Sequence, residues 1–238
     1  MSLLPRVSFG QRLPAVALAL LLCVSFVGVS QAALIGTVPV SPTQTISPGA
    51  VPSGTAPGTL LATLTSPYSF TTTAGTTSGT LSTAVYREAG GTLDFYYQVA
   101  NSAGSSTAIA RETDTNFAGF TIALGYRVDG GTLTGGGFAN GTVAPVTGDL
   151  NAASNVVGFS FNPPDAAKIL PGLTSDVLVV STNATAFTAG NAAVIDGGTQ
   201  TVAAFQPTAA VGTPEPGSML LLGGGLLALA GIRRLRRS

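Results

Sequence analysis

Short runs of alternating apolar and polar residues, separated by pairs of glycines, constrain the fold of this chain more than any other feature. Residues 120–128 alternate Phe, Ile, Leu, Tyr and Val with Thr, Ala, Gly and Arg, and residues 93–99 and 157–161 alternate similarly. A period of two places every second side chain on one face of a β-strand. Glycine pairs at 90–91 and 130–131 mark turns between such strands. This pattern predicts an all-β fold.

The remaining segments fit the same architecture. Residues 177–180 are continuously apolar, as expected of a strand covered on both faces, and only residues 165–170 look helical. Many strands with almost no helix predict an antiparallel β-sandwich over residues 59–206. Residues 33–58 contain five prolines among Thr, Ser and Gly and are interpreted as a linker. The further candidate strands are residues 59–65, 79–88, 106–112, 192–196 and 199–206.

The first 32 residues have the layout of a secretory signal peptide. Arg6 and Arg12 precede an apolar run, and Ser30 and Ala32 supply the small residues required before a cleavage site. We therefore expect a mature N-terminus at Ala33. An uncleaved anchor helix is the alternative. A lipoprotein site at Cys23 is disfavoured, because the preceding residue is a leucine rather than a small residue.

The other end combines three features in a fixed order over residues 207–238. Pro214, Glu215 and Pro216 precede an uncharged run at 217–232, and a basic segment at 233–237 follows. A sixteen-residue helix reaches about 24 Å, which is short of the ~30 Å hydrocarbon core of a bilayer. The run therefore predicts a short membrane span with a cytoplasmic stop signal. The stop signal consists of Arg233, Arg234, Arg236 and Arg237.

This order of motif, span and arginines closely resembles the PEP-CTERM family of sorting tails, whose tail segment is also called an ice-binding protein C-terminal domain. In that family the exosortase, a membrane-embedded transpeptidase-like protease, recognises and removes the tail, typically in bacteria that make exopolysaccharide. The resemblance implies that Pro214, Glu215 and Pro216 are recognition residues. It also implies export, followed by membrane anchoring until processing delivers the protein to the cell surface. A plain tail anchor is the alternative.

A second resemblance covers residues 80–206. The stretches Val85–Val99 and Thr182–Gly197 are similar in character to the generic exported domains that often precede such tails. This resemblance implies no established activity. It supports only the expectation that the β domain is exported.

Composition excludes several kinds of chemistry. The chain has no histidine, and its single cysteine, Cys23, lies within the predicted signal peptide. A Ser-His-Asp triad, a histidine zinc site and a disulfide framework are therefore not expected in the mature protein. Residues 33–213 contain four basic and nine acidic residues, and a weakly acidic domain has no electrostatic footprint for nucleic acid. We expect no cofactor, no metal and no catalytic residue.

Two sets of oxygen-bearing side chains offer alternatives to this expectation. Four carboxylates, Glu88, Asp94, Glu112 and Asp114, supply residue types that glycoside cleavage requires, although Glu88 and Glu112 adjoin arginines and fit solvated strand ends equally well. Calcium would need oxygen ligands at short spacing. The segments 114–116 and 149–151 offer two ligands each, but neither continues into a full calcium loop, and turn formation explains them better.

Tyr96, with Gln98 beside it, is the best candidate for an exposed glycan contact, since Tyr97 and Tyr126 fall on apolar faces. The absence of tryptophan weakens a carbohydrate-binding interpretation. The sequence therefore predicts a non-enzymatic surface protein of structural or adhesive type, sorted by an exosortase and associated with exopolysaccharide. A glycan-binding module, or a polysaccharide-active enzyme, is the alternative.

Overall fold

The computed structural model describes residues 44–151 and 155–209, and these residues form two six-stranded β-sheets. The predicted all-β class is confirmed. The predicted terminal helices lie outside the described residues. In chain order the strands are β1 Gln44–Ile46, β2 Gly49–Ala50, β3 Thr59–Thr72, β4 Gly75–Arg87, β5 Leu93–Asn101, β6 Arg111–Thr115, β7 Ile122–Arg127, β8 Thr147–Asn151, β9 Val156–Ser160, β10 Val177–Thr182, β11 Ala186–Ile195 and β12 Thr199–Thr208.

Each sheet mixes strands from distant parts of the chain. Sheet A has the order β1-β8-β9-β6-β11-β12, and sheet B has the order β2-β7-β10-β5-β4-β3. All neighbours are antiparallel except β2 and β7, which run parallel. The prediction of a purely antiparallel arrangement is wrong at this one place. Only Ser47 and Pro48 separate β1 from β2, so the chain passes from one sheet edge to the other without a hairpin that would reverse it.

The core lies between the two sheets, and the period-two patterns correctly predict which side chains enter it. Phe95 and Tyr97 of β5 and Phe159 of β9 are fully buried there. The continuously apolar strand β10 is covered on both faces, as predicted. Leu178 and Val180 belong to the core between the sheets, whereas Val177 and Val179 belong to a second apolar cluster on the outer face of sheet B.

Several predicted boundaries are wrong. The predicted linker at 33–58 contains β1 and β2, because its backbone pairs with β8 and β7 despite the prolines. Strand β8 replaces the predicted loop at 149–151, and β6 begins at Arg111 rather than at residue 106. Of the predicted helical segment, only Asp165–Ala167 forms a single 3₁₀ turn.

Within residues 44–151 and 155–209, no helix combines the length and hydropathy needed to cross a bilayer. The predicted membrane span at 217–232 lies outside this part of the chain, as do the predicted signal peptide and the motif at 214–216.

Candidate functional site

The carboxylates considered in the sequence form two separate pairs, one inside the domain and one at its surface. Glu112 and Asp114 lie two residues apart on β6, so both point into the core from sheet A. Their side chains are completely buried. The interpretation of Glu112 as a solvated strand-end charge is wrong. Asp114, assigned to a loop by the sequence, lies within the strand.

The surroundings of this interior pair are apolar. Phe159 and Val194 lie opposite Glu112 on the two neighbouring strands, and Val157 and Ala192 lie opposite Asp114. None of the four carboxyl oxygens accepts a hydrogen bond from a donor among the described residues. An ionised carboxylate can only accept hydrogen bonds. Glu112 and Asp114 can therefore hydrogen-bond to each other only when one of the two is protonated.

Burial therefore governs the protonation of the pair. It raises the pKa of Glu112 from its ordinary value to about 8, against weaker opposing effects from hydrogen bonding to Asp114 and from the charge of Arg111. It raises the pKa of Asp114 well above its ordinary value, and the neighbouring Glu112 carboxyl adds to the rise. A low-dielectric site disfavours the charged form of a carboxyl, which is the physical cause of both shifts.

The second pair lies at the end of the β4–β5 hairpin, on the outer face of sheet B. Asp94 is almost buried, and Glu88 is half-buried beside it. Burial, followed by the charge of Glu88, raises the pKa of Asp94 to about 7, while hydrogen bonding to Ser181 partly offsets the rise. Burial also raises the pKa of Glu88. A carboxyl with a pKa near neutrality can donate or accept a proton at physiological pH.

Tyr96 and Gln98 lie on this same outer face, but neither is exposed. Tyr96 is 3% exposed and Gln98 is 4% exposed, so the prediction of an accessible tyrosine is wrong. Residues 129–143 pass over them, and the Gln98 amide nitrogen donates hydrogen bonds to the carbonyl oxygens of Ala139 and Ser175. The Gln98 side-chain oxygen accepts a third bond from the Ala139 backbone N–H. Gln98 thus holds the covering segment in place.

We call the region beneath this segment the covered face, defined by Tyr86, Tyr96, Arg127 and Asp129. Arg127 is 1% exposed and makes a bidentate ion pair with Asp129, with Nε–Oδ1 and Nη2–Oδ2 distances of 2.9 and 3.0 Å. Its guanidinium carbon lies 6.0 Å from the centre of the Tyr96 ring. The Asp129 carboxylate also accepts the Gly54 backbone N–H at 2.7 Å. Asp129 therefore links the end of β7, through Arg127, to the loop between β2 and β3, through Gly54.

Sequence reasoning missed the Arg127–Asp129 pair. Arg127 occupies a polar position in the alternation of β7, which predicts a solvent-facing side chain. The one sequence feature that could have indicated the pair is an acidic residue two positions after a basic residue at the end of a strand. It is weak, because exposed ion pairs show the same spacing.

The segment at 149–151, considered as a source of calcium ligands, contains a carboxylate that binds an arginine. Asp149 lies on the outer face of sheet A and binds the Arg111 guanidinium through both carboxylate oxygens, at 2.6 and 2.9 Å. Arg111 reaches it by crossing β9 at Gly158, where a Cβ atom would overlap the guanidinium. Among the described residues, no group of three or more acidic, His or Cys side chains is arranged to hold a metal ion.

Comparison with known proteins bears on a different part of the chain. Residues 213–237 match the PEP-CTERM protein-sorting motif. The chain carries a PEP-CTERM tail. Such motifs are processed by exosortase, a membrane protein, and they imply export and membrane-associated sorting to the cell surface. No curated protein and no solved structure matches the chain.

The PEP-CTERM match coincides with the motif, span and arginines that the sequence singled out. Pro214, Glu215 and Pro216 fall within it, as do the four arginines between residues 233 and 237. The match thus supports an exosortase-sorted, exported protein. The assignment of individual roles to these residues stays a prediction.

Proposed function

We propose that this chain is a non-enzymatic structural or adhesive protein of the cell surface, delivered by exosortase and associated with extracellular polysaccharide. The observation that carries the proposal is the PEP-CTERM motif at residues 213–237. The β domain is the part that remains after the tail is removed, so the properties of this domain determine the role of the protein at the cell surface.

The domain adjoins the sorting motif closely. Strand β12 ends at Thr208, so only residues 209–212 separate it from the matched region at 213–237. Eight residues, 209–216, separate β12 from the predicted span at 217–232, and eight extended residues reach about 29 Å at most. In this proposal the folded domain therefore stays close to the membrane until the tail is cut.

The described domain favours a structural role because the polar side chains considered for glycan or calcium binding make contacts within the fold or are covered. Gln98 makes three hydrogen bonds to the backbone, Tyr96 is covered, and Asp149 is occupied by Arg111. The interior carboxyl pair has no exposed surface at which a substrate would meet it. These features favour a closed scaffold over a binding groove.

A polysaccharide-active enzyme is the second candidate, and the Glu88–Asp94 pair is the observation that favours it. The two carboxyls lie together at the end of a hairpin, with pKa values raised by burial. An acid and a base of this kind are what glycoside cleavage requires. If the pair is catalytic, Asp94→Asn should abolish release of reducing sugars from the host's exopolysaccharide. Our proposal predicts no release by either protein.

The sorting function is tested by replacing Pro214, Glu215 and Pro216 with alanine in the native host. The span and the arginines remain, so the protein should still enter the membrane, but its tail should stay attached. The variant should accumulate in the membrane fraction, whereas the wild-type protein should leave it. If both proteins remain full length in the membrane, in a host with an active exosortase, the proposal is wrong.

A matched variant replaces the four arginines at 233–237 with serine and keeps the tripeptide. The positive charges are expected to hold the short span in place, so their loss should let uncleaved protein pass through the membrane. The tripeptide variant should be found in the membrane and the arginine variant in the medium, both with their tails. A plain tail anchor predicts no effect of the tripeptide variant, because those three residues contribute little to insertion.

A further inference from the structure

The interior pair of carboxyls has no role in sorting or in the surface chemistry described above. Glu112 and Asp114 lie on β6, which has β9 on one side and β11 on the other within sheet A. Buried acidic side chains are rare unless they are paired with a cation. Here two of them lie side by side without a hydrogen-bond donor among the described residues.

The groups that face the pair are almost all neutral. Tyr97 on β5 is the titratable group facing it from sheet B, and its hydroxyl donates to the Phe205 carbonyl oxygen on β12 at 2.9 Å. Arg111 is the cation whose charge acts on Glu112, but its guanidinium lies on the opposite face of sheet A, bound to Asp149. The neighbouring strands β9 and β11 present only apolar side chains to the pair, namely Val157, Phe159, Ala192 and Val194.

Such a site tolerates neutral carboxylic acids far better than carboxylates. A protonated Asp114 can donate a hydrogen bond to Glu112, which satisfies both groups at once. Ionisation of both acids would place two like charges in an apolar interior without compensation, which is strongly unfavourable. In the unfolded chain both groups are hydrated and ionise freely at neutral pH.

We propose that Glu112 and Asp114 form a proton-dependent switch within sheet A. While the pair holds its protons, β6 remains packed between β9 and β11. When the protons are lost at alkaline pH, β6 loosens and the domain opens. The domain is thus stable in mildly acidic surroundings and labile in alkaline ones.

The magnitude follows from proton linkage. Each proton that the folded state retains and the unfolded state has lost reduces the folding equilibrium constant by about tenfold per pH unit. The effect applies above the ordinary pKa of a carboxyl and ends once the folded state has also lost the proton. The expected result is a steep loss of stability that begins above about pH 5 and continues into the alkaline range.

The test is urea unfolding of the full chain in detergent, followed by tyrosine fluorescence, from about pH 5 to about pH 9. The Glu112→Gln/Asp114→Asn double variant carries neutral side chains of the same shape at every pH. With each pH unit, the folding equilibrium constant of the wild-type protein should fall by a factor at least ten times larger than that of the double variant. The double variant should be the more stable protein at about pH 9. Parallel pH profiles for the two proteins would overturn the proposal.

Asp94 provides the matched control, because its pKa is also raised, to about 7. Asp94→Asn should remove only the part of the pH dependence that belongs to the outer face, and a slope due to the interior pair should remain. If Asp94→Asn abolishes the whole slope, the interior pair is not the switch.

Infrared spectroscopy keeps the proposal testable if the double variant does not fold. The wild-type protein at about pH 8.5, above the range in which Asp94 titrates, should still show the carbonyl absorption of a protonated carboxylic acid. That absorption should disappear when urea unfolds the protein at the same pH. A folded protein without the absorption would overturn the proposal.

Discussion

The covered face on sheet B and the core-facing side of sheet A both bury residues that can carry a charge. The two regions differ in how the unfavourable free energy of a buried charge is avoided. On the covered face, Arg127 and Asp129 neutralise each other through two hydrogen bonds. In the interior, Glu112 and Asp114 would carry like charges if both were ionised, and no hydrogen-bond donor among the described residues reaches their carboxyl oxygens. The first region compensates buried charge by pairing, and the second avoids it by keeping protons.

The difference determines how each region responds to pH. Hydrogen bonding to Arg127 lowers the pKa of Asp129 from its ordinary value to about 2, so its stabilising effect is complete above the ordinary value and is lost as pH falls through about 2. Burial raises the pKa of Glu112 to about 8. The stability that depends on protonated Glu112 is therefore fully present below the ordinary pKa of a glutamate, and it is lost as pH rises through about 8. Stability should therefore be highest in the mildly acidic range between these limits.

The largest expected effect comes from breaking the compensated pair. Asp129→Ala leaves Arg127 buried without its partner, which should cost about 3–5 kcal/mol of unfolding free energy. Urea unfolding at neutral pH measures the loss. Asp165→Ala is the control, because the Asp165 side chain is 83% exposed beside Lys168 and should cost less than about 1 kcal/mol. Equal effects of the two substitutions would contradict the contrast between buried and exposed pairs.

The acid limb of the stability profile gives the next largest effect. Asp129 should contribute up to about 2 kcal/mol near neutral pH, lost as pH falls through its lowered pKa. Asp129→Asn removes the titrating group, so the acid limb of its urea profile should be flatter than that of the wild-type protein. The alkaline limb belongs to other residues and should not change. A variant in which both limbs flatten would show that the two regions are coupled.

A smaller effect is expected where a charged pair lies across a strand on the outer face of sheet A. Gly158→Ala places a methyl group where the Arg111 guanidinium crosses β9, so Arg111 must leave Asp149. Because both side chains are partly exposed, the cost should be about 1–2 kcal/mol. Ala193→Ser, on the same face of neighbouring β11, is the control and should be nearly neutral. An unchanged midpoint for Gly158→Ala would show that Arg111 can rearrange freely.

The smallest effect is expected from Lys168. Its ammonium lies 3.1 Å from Asp196 and 3.3 Å from Asp165, in a partly exposed position where ion pairs contribute little. Lys168→Met should change the unfolding free energy by less than about 1 kcal/mol, and added salt should reduce the difference. A loss comparable to that of Asp129→Ala would place Lys168 among the compensated buried charges.

The sequence predicts the fold where apolar and polar residues alternate. Strands β5, β7 and β9 show this pattern, and the structure contains all three, together with β10, which the continuously apolar run at 177–180 predicts. Strand β6 does not show it, because residues 111–115 are Arg-Glu-Thr-Asp-Thr and both of its faces are polar. Periodicity cannot distinguish the inner from the outer face in such a strand, so the sequence does not predict the burial of Glu112 and Asp114.

The sequence does not predict the covered face, for a related reason. Tyr96 and Gln98 alternate with inward-facing residues, so the sequence correctly places them on the outer face of sheet B. What covers them is residues 129–143, more than thirty positions later in the chain. Long-range covering of a sheet face leaves no local periodic signal. The prolines of residues 39–57 similarly predict a linker rather than strands. Strands β1 and β2 form there because they pair with distant strands.

The central claim is that this domain reaches the surface by export and exosortase processing, and intact-mass spectrometry of the protein from its native host tests it most directly. We predict a chain that begins at Ala33 and lacks the arginine segment at 233–237, with any added mass accounted for by covalently attached glycan. A protein that begins at Met1, or that retains Arg233 to Arg237 in a host with an active exosortase, would contradict the account.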